Sequence, residues 1–110
     1  MEKLWEQNKQ KFQDAISGTE LFEMKGKNMI YTSSNGYMFS MLNKAAEVGV
    51  RLSKEDQKEY HALYSSDLYK SHGATMRDYV LVPAELLDRP EELLQWMIKG
   101  FEHVNALPPK

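Results

Sequence analysis

The chain has 110 residues, which fits one domain, 1–110, and its apolar and charged fractions, 42% and 27%, are ordinary for a globular protein. It contains no cysteine, which excludes disulfides and thiolate metal sites and fits a reducing, cytoplasmic location. The net charge of −2 gives no overall attraction to nucleic acid or anionic lipid. No apolar run approaches the ~20 residues that span a membrane, and the first residues lack the pattern of a signal peptide.

The first predicted element is a helix over residues 2–17, ended by Gly18. Its apolar stripe at helical spacing is Trp5, Phe12, Ala15 and Ile16.

Four strands are predicted next, over residues 21–25, 29–32, 37–42 and 48–52. Between the second and third, Asn35 and Gly36 form the strongest hairpin signal in the chain, because both tolerate the positive φ angles that tight hairpin turns need. The third strand is apolar on both sides. Simple alternation places Tyr37, Phe39 and Met41 on one face, and Met38, Ser40 and Leu42 on the other. Such a strand is either covered on both faces or presents an interaction surface.

A second helix is predicted after Ser53, a suitable N-cap, and it carries Tyr60, Leu63 and Tyr64. Residues 65–74 are polar and are expected to form a loop. A strand over residues 76–82 follows and ends at Pro83, because proline cannot donate to the ladder.

The last predicted element is a long amphipathic helix, with Asp88 as its N-cap, Pro90 in its first turn and Glu91 at the capping-box position. Its apolar stripe is Leu93, Leu94, Met97, Phe101 and Val104, flanked by Trp96 and Gly100. The order α-β-β-β-β-α-β-α predicts an α+β fold of two layers. We expect an antiparallel sheet of about five strands, with the helices packed mainly on one face.

Several segments in this order resemble the TfoX N-terminal domain family, the Sxy-like proteins related to bacterial competence regulators. The segments are Tyr37-Met38-Phe39, Val50-Arg51-Leu52-Ser53, Met76-Arg77-Asp78-Tyr79-Val80, Val82-Pro83, Leu94-Gln95-Trp96 and Leu107-Pro108-Pro109-Lys110. The resemblance covers roughly residues 20–110, and Asn35-Gly36 lies where the family places its hairpin. It implies the fold of that family and a regulatory role, and it brings no catalytic residues with it.

Two features depart from the family pattern. Met24-Lys25-Gly26 stands where the family usually has Met-Phe-Gly. The larger regulators also carry a second helical domain, whereas this sequence ends at Lys110.

No residue set predicts a metal, a cofactor or a reaction. His61, His72 and His103 have no ligand spacing, although Asp67 lies between the first two. Asp78 is the one acid in a strongly apolar strand, and a cleft formed with Arg51 and Tyr79 is the alternative that would suit a ligand-binding protein or an enzyme.

Nucleic-acid binding is a third alternative. Lys25 and Lys27, with Lys44, could form a weak basic patch, and Tyr31 and Tyr37 could stack on bases. Specific binding is not expected, because no recognition helix is evident and the longest helix begins with acidic residues.

We therefore expect a non-enzymatic regulatory or protein-interaction module with an unknown protein partner, present as a monomer or homodimer. The candidate interaction surface comprises Tyr37, Phe39, Met41, Arg51, Asp78 and Tyr79.

Overall fold

The computed structural model describes residues 2–27, 29–64, 68–71 and 74–109. Its elements in chain order are α1 (Glu2–Ile16), β1 (Ile30–Ser34), β2 (Tyr37–Leu42), β3 (Val48–Arg51), α2 (Lys54–Leu63), β4 (Leu68–Ser71), β5 (Ala74–Leu81), α3 (Ala84–Leu87) and α4 (Pro90–Asn105). None of these described helices combines the length and apolarity needed to cross a lipid bilayer.

The strands form one antiparallel sheet in the order β1-β2-β3-β5-β4. The α+β class and the antiparallel sheet are as the sequence predicts. Buried side chains are described on β1, β2, β3 and β5, and β4 pairs with β5 at the edge of the sheet.

The element order differs from the predicted order at two places. Residues 21–25 do not form a strand, and only Lys25 makes an isolated bridge, to Tyr31. A strand, β4, lies inside the segment 65–74 that was expected to be a loop. Both differences have one cause: local alternation does not decide whether a segment finds a partner for its backbone groups. Residues 65–67 and 72–73 of that segment lie outside the described residues.

The hairpin between β1 and β2 turns at the predicted dipeptide. Asn35 and Gly36 have φ angles of 56° and 85°, as a type I′ turn requires. The Asn35 side chain also reaches across to the end of α4, where its Nδ2 donates to the carbonyl oxygens of Val104 and Leu107, each at 2.9 Å. The turn therefore shapes the hairpin and satisfies carbonyl groups at the C-terminus of α4.

A β-bulge in β2 overturns the predicted alternation of that strand. Thr32 pairs with Ser40, but Ser33 pairs with Met38, so Phe39 is the extra residue. The bulge turns Phe39 and Ser40 toward the same side of the sheet. Met41 consequently lies on the face opposite to Phe39, not beside it as simple alternation predicts.

The two faces of the sheet have different neighbours. We call the first the helix face; its residues are Ile30, Thr32, Phe39, Ser40, Leu42, Val48, Val50, Val80 and Val82. We call the second the open face; its residues are Tyr31, Met38, Met41, Tyr79 and Leu81, with Met29 beside them. The buried apolar side chains of all described helices pack into the main core on the helix face.

The apolar stripes predicted for α1 and α4 pack into the main core, and the stripe of α4 is shifted from its predicted position. In α4 the buried residues are Leu93, Trp96, Met97, Gly100 and Val104. Phe101 is only partly buried and packs at the margin, with its ring centroid 5.5 Å from Phe22 and 5.8 Å from Phe39. The stripe is therefore turned slightly relative to the predicted one.

The predicted helix caps are right for α2 and wrong for α4. Ser53 caps α2, because its Oγ accepts from the Asp56 amide at 3.1 Å. The N-cap of α4 is Arg89, which makes no side-chain capping bond, and Asp88 is instead the C-cap of α3. Because α3 ends so close to α4, Asp88 takes a helical conformation, and its carboxylate pairs with Lys11 at 2.7 Å.

Close contact between α4 and the sheet depends on Gly100. A Cβ atom at this position would lie 2.6 Å from the Arg51 carbonyl oxygen and 3.5 Å from the Phe39 ring. The absence of a side chain therefore lets α4 approach the end of β3, and this contact places Arg51 at the rim of the sheet.

Candidate functional site

The open face carries a small apolar cluster built from strand residues. Met41 is 1% exposed and Tyr79 is 9% exposed. Met29, Tyr31, Met38 and Leu81 surround them and are partly exposed. Among the described residues, no helix contributes to this cluster, and its outer side chains are partly exposed.

The predicted interaction residues of β2 are divided between the two faces. Phe39 is fully buried in the main core, and Met41 is buried in the open-face cluster. Tyr37 packs at the margin of the main core, and its hydroxyl donates to the Pro108 carbonyl oxygen at 2.8 Å. Phe39 and Met41 are therefore buried, and the partly exposed apolar side chains of the open face are Met29, Tyr31, Met38 and Leu81.

The structure brings Arg51, Asp78 and Tyr79 together. Arg51 pairs with Tyr79 across β3 and β5, and its Nη2 lies 3.7 Å from Asp78 Oδ2. Its guanidinium also lies over the Tyr37 ring, 5.4 Å from the centroid. The Arg51 Nε atom is buried and has no hydrogen-bond partner among the described residues. The group links the ends of β2, β3 and β5.

Tyr79 is held in its neutral form. Its hydroxyl donates to the Met38 carbonyl oxygen at 3.0 Å. Burial raises the pKa of Tyr79 to about 12; Arg51 opposes this shift and Asp78 adds to it. At neutral pH this side chain is a hydrogen-bond donor between strands, not a base.

Lys25 lies at the β1 edge of the open face. Its backbone N–H donates to the Tyr31 carbonyl oxygen at 2.8 Å and its carbonyl accepts from the Tyr31 N–H at 2.9 Å, which covers part of this sheet edge. Its Nζ donates to Ser33 Oγ at 3.1 Å. The acidic residues Glu20 and Glu23 line the same cavity of about 550 Å³ as Lys25. The positive charge of the predicted basic patch is therefore partly compensated locally, and Lys27 is exposed beside it.

The histidines do not converge among the described residues. His61 is exposed on α2, where its ring packs edge-on against Tyr60 at 5.5 Å. His103 lies in the last turn of α4. His72 and Asp67 lie outside the described residues. In the described part of the chain, no group of three His, Asp or Glu side chains could hold a metal ion.

A groove between α2 and α4 is a surface that the sequence did not indicate. It encloses a cavity of about 440 Å³, lined by Glu59, Leu63, Tyr64, Glu92, Trp96 and Lys99, among others. Leu63, which was grouped with Tyr60 and Tyr64 in the predicted second helix, is 65% exposed, whereas the two tyrosines are buried. The exposed Leu63 next to the buried Tyr64 marks this groove, which exists because α2 and α4 pack side by side.

Known families and known structures supply no reference for these surfaces. Comparisons with protein-family models, with curated proteins and with solved structures find no match for this chain. The resemblance to TfoX N-terminal domains stays a prediction from the sequence. Function is therefore inferred from the geometry of the open face and of the groove.

Proposed function

We propose that this chain is a non-enzymatic protein-interaction module whose contact surface is the open face of the sheet. The observation that carries this proposal is the apolar cluster on that face, which no described helix covers. Partly exposed apolar side chains grouped around a buried centre are typical of interaction surfaces, because their burial by a partner is favourable.

The charges at the rim indicate the chemistry of the partner. Lys25 stands at the β1 side of the face, and Arg51 stands at the end of β3. Both are cations next to apolar area, and Arg51 is only loosely engaged by Asp78. A partner segment that presents apolar side chains and a neighbouring carboxylate complements this arrangement.

Catalysis by Arg51, Asp78 and Tyr79 receives less support. The raised pKa of Tyr79 keeps its hydroxyl protonated at neutral pH, and the hydroxyl already donates a hydrogen bond to the Met38 carbonyl oxygen. The groove between α2 and α4 and the cavity beside Lys25 do not include these three side chains. A regulatory role, as the TfoX resemblance implies, is then exerted through a protein partner.

The test replaces one apolar side chain of the open face by a charge. Tyr31→Lys and Met38→Lys keep the main core intact, because both side chains are partly exposed and lie outside it. A photo-reactive residue at position 38 in the wild-type background should crosslink a defined protein in the native cell extract. Tyr31→Lys should abolish this crosslink while the thermal melt of the variant stays cooperative.

The matched control lies on the other side of the molecule. Leu4 is 52% exposed on α1, so Leu4→Lys adds the same charge without touching the open face. This variant should retain the crosslink. The open face is not the contact surface if the Tyr31→Lys variant still crosslinks the same protein through position 38 as the wild type does. The same conclusion follows if every protein crosslinked from position 38 is also crosslinked from position 4. Crosslinking to nucleic acid instead would favour the third alternative.

A further inference from the structure

The groove between α2 and α4 has an aromatic floor. The helices run antiparallel, because Asp56 of α2 lies beside Lys99 while Tyr64, at the other end of α2, bonds to Glu92. Trp96 and Tyr64 form the floor, with ring centroids 6.1 Å apart. The Trp96 Nε1–H donates to the Tyr64 hydroxyl at 3.3 Å. The enclosed volume of about 440 Å³ is within the range of small-molecule sites.

The charged side chains at this groove are unequally paired among the described residues. Arg89 lies 3.8 Å from Glu92, and Lys99 lies 3.9 Å from Asp56. Glu59 lines the groove between these pairs and has no ion-pair partner among the described residues. Arg89 and Lys99 therefore each have a carboxylate partner, in the groove or next to it, whereas Glu59 has none among the described residues, which favours a positively charged ligand at Glu59.

The floor already receives a cation from the protein itself. The Lys99 ammonium lies over the Trp96 ring, 5.6 Å from its centroid. An ammonium over an indole is stabilised by the ring quadrupole, most strongly where water is partly excluded. Leu63 stands one helical turn after Glu59 and is exposed at the mouth of the groove. It offers apolar contact next to the Glu59 carboxylate.

We propose that the groove between α2 and α4 binds a small organic cation, an alkylammonium compound, with its ammonium beside Glu59 and its apolar chain against Leu63. The ammonium also faces the aromatic floor of Tyr64 and Trp96. Lys99 competes for the Trp96 ring, so the ligand displaces its ammonium toward Asp56. This site is separate from the open face, because its lining residues belong to α2, α4 and the residues next to them.

The experiment uses hexylammonium as the probe and the two indole N–H resonances of the chain as the reporters. Trp96 lines the groove, whereas Trp5 is not among its lining residues and its Nε1–H donates to the Asn43 carbonyl oxygen at 3.1 Å. Titration at constant ionic strength should shift the Trp96 resonance in a saturable manner and leave the Trp5 resonance unchanged. Hexanoate, which has the same chain length and the opposite charge, should shift neither.

Two variants distinguish this site from non-specific binding. Glu59→Gln keeps the size of an exposed side chain and removes its charge, so affinity for hexylammonium should fall by about threefold to fivefold. Lys99→Met removes the competing ammonium, so affinity should rise by a similar factor of about threefold. Equal binding of hexanoate, an unshifted Trp96 resonance, or unchanged affinity in Glu59→Gln would each overturn the proposal.

Discussion

The helix face and the open face belong to the same strands but differ in what stabilises them. On the helix face, side chains from strands and helices interlock, and Phe39, Leu42, Val48 and Val50 are each 0% exposed. On the open face, two buried residues are covered mainly by partly exposed neighbours. One sheet can therefore provide the stability of the domain on one side and remain accessible on the other.

The bulge at Phe39 distributes the side chains of β2 between the helix face and the open face. Without an extra residue, Phe39 and Met41 would share a face, and either a core position or a surface position would carry the wrong side chain. With the bulge, Ser40 and Thr32 face the core as a buried hydroxyl pair, hydrogen-bonded to each other. The larger Phe39 then fills the space under Gly100 of α4.

The largest expected effect contrasts adjacent residues on the two faces. Phe39→Ala should lower the free energy of unfolding by about 3–5 kcal/mol, because it empties a fully buried position in the main core. Met38→Ala should cost only about 1 kcal/mol, because the side chain is already partly exposed. Urea unfolding of both variants measures the difference. Similar losses in the two variants would mean that the two faces contribute equally to stability.

Gly100→Ala tests how tightly α4 is seated on the helix face. Alanine normally stabilises a helix interior relative to glycine by about 0.5–1 kcal/mol. Here the new methyl group would lie 2.6 Å from a backbone oxygen of Arg51, so we expect a loss of about 1–3 kcal/mol instead. Thermal unfolding gives the sign directly. A gain in stability would show that α4 can move away from the sheet at little cost.

Asn35→Asp tests the link between the hairpin turn and α4. Aspartate tolerates the positive φ of this turn but cannot donate to the carbonyls of Val104 and Leu107 when ionised. We expect a loss of about 1–2 kcal/mol at neutral pH, because two acceptors lose their donor and face a carboxylate. Asn35→Gly keeps the turn and removes only the donor, so it should cost less in the same unfolding assay. If both variants are as stable as the wild type, the contact with α4 contributes nothing.

The titration of Tyr79 measures how well the open-face cluster is buried. Its folded pKa of about 12 lies above the usual value of 10.0, so the neutral ring stabilises the fold fully below pH 10, and this contribution is lost as pH rises through about 12. Tyrosinate absorbance of the wild type minus that of Tyr79→Phe should show one late-titrating group. A difference curve centred near the usual value would mean that water reaches this residue freely. Tyr79→Phe itself should cost about 1 kcal/mol at neutral pH, from the lost bond to Met38.

Helical elements and turns could be predicted because their signals are local. The spacing of Phe12, Ala15 and Ile16, the Ser53 cap and the Asn35-Gly36 turn each depend on a few adjacent residues. The strand at Leu68–Ser71 could not be predicted in this way, and neither could the absence of a strand at 21–25, because strand pairing depends on a distant segment. The cap at Asp88 failed for a similar reason: α3 fixes the conformation of that residue before α4 begins.

The candidate sites show the same limit. Arg51, Asp78 and Tyr79 could be named from the sequence, since charges within apolar strands are conspicuous, and the sheet register does bring them together. The groove lined by Glu59 and Trp96 could not be identified from the sequence, because α2 and α4 are separated in the chain and become adjacent only through packing.

The α+β class, the helices and the hairpin turn follow from local sequence, because periodicity, capping and backbone preference act over short distances. Tertiary packing determines which side of β2 each residue faces, which face of the sheet the described helices leave uncovered, and where α2 and α4 form a groove. These features follow from register and from the close approach of α4 at Gly100, and both depend on contacts between segments far apart in the chain.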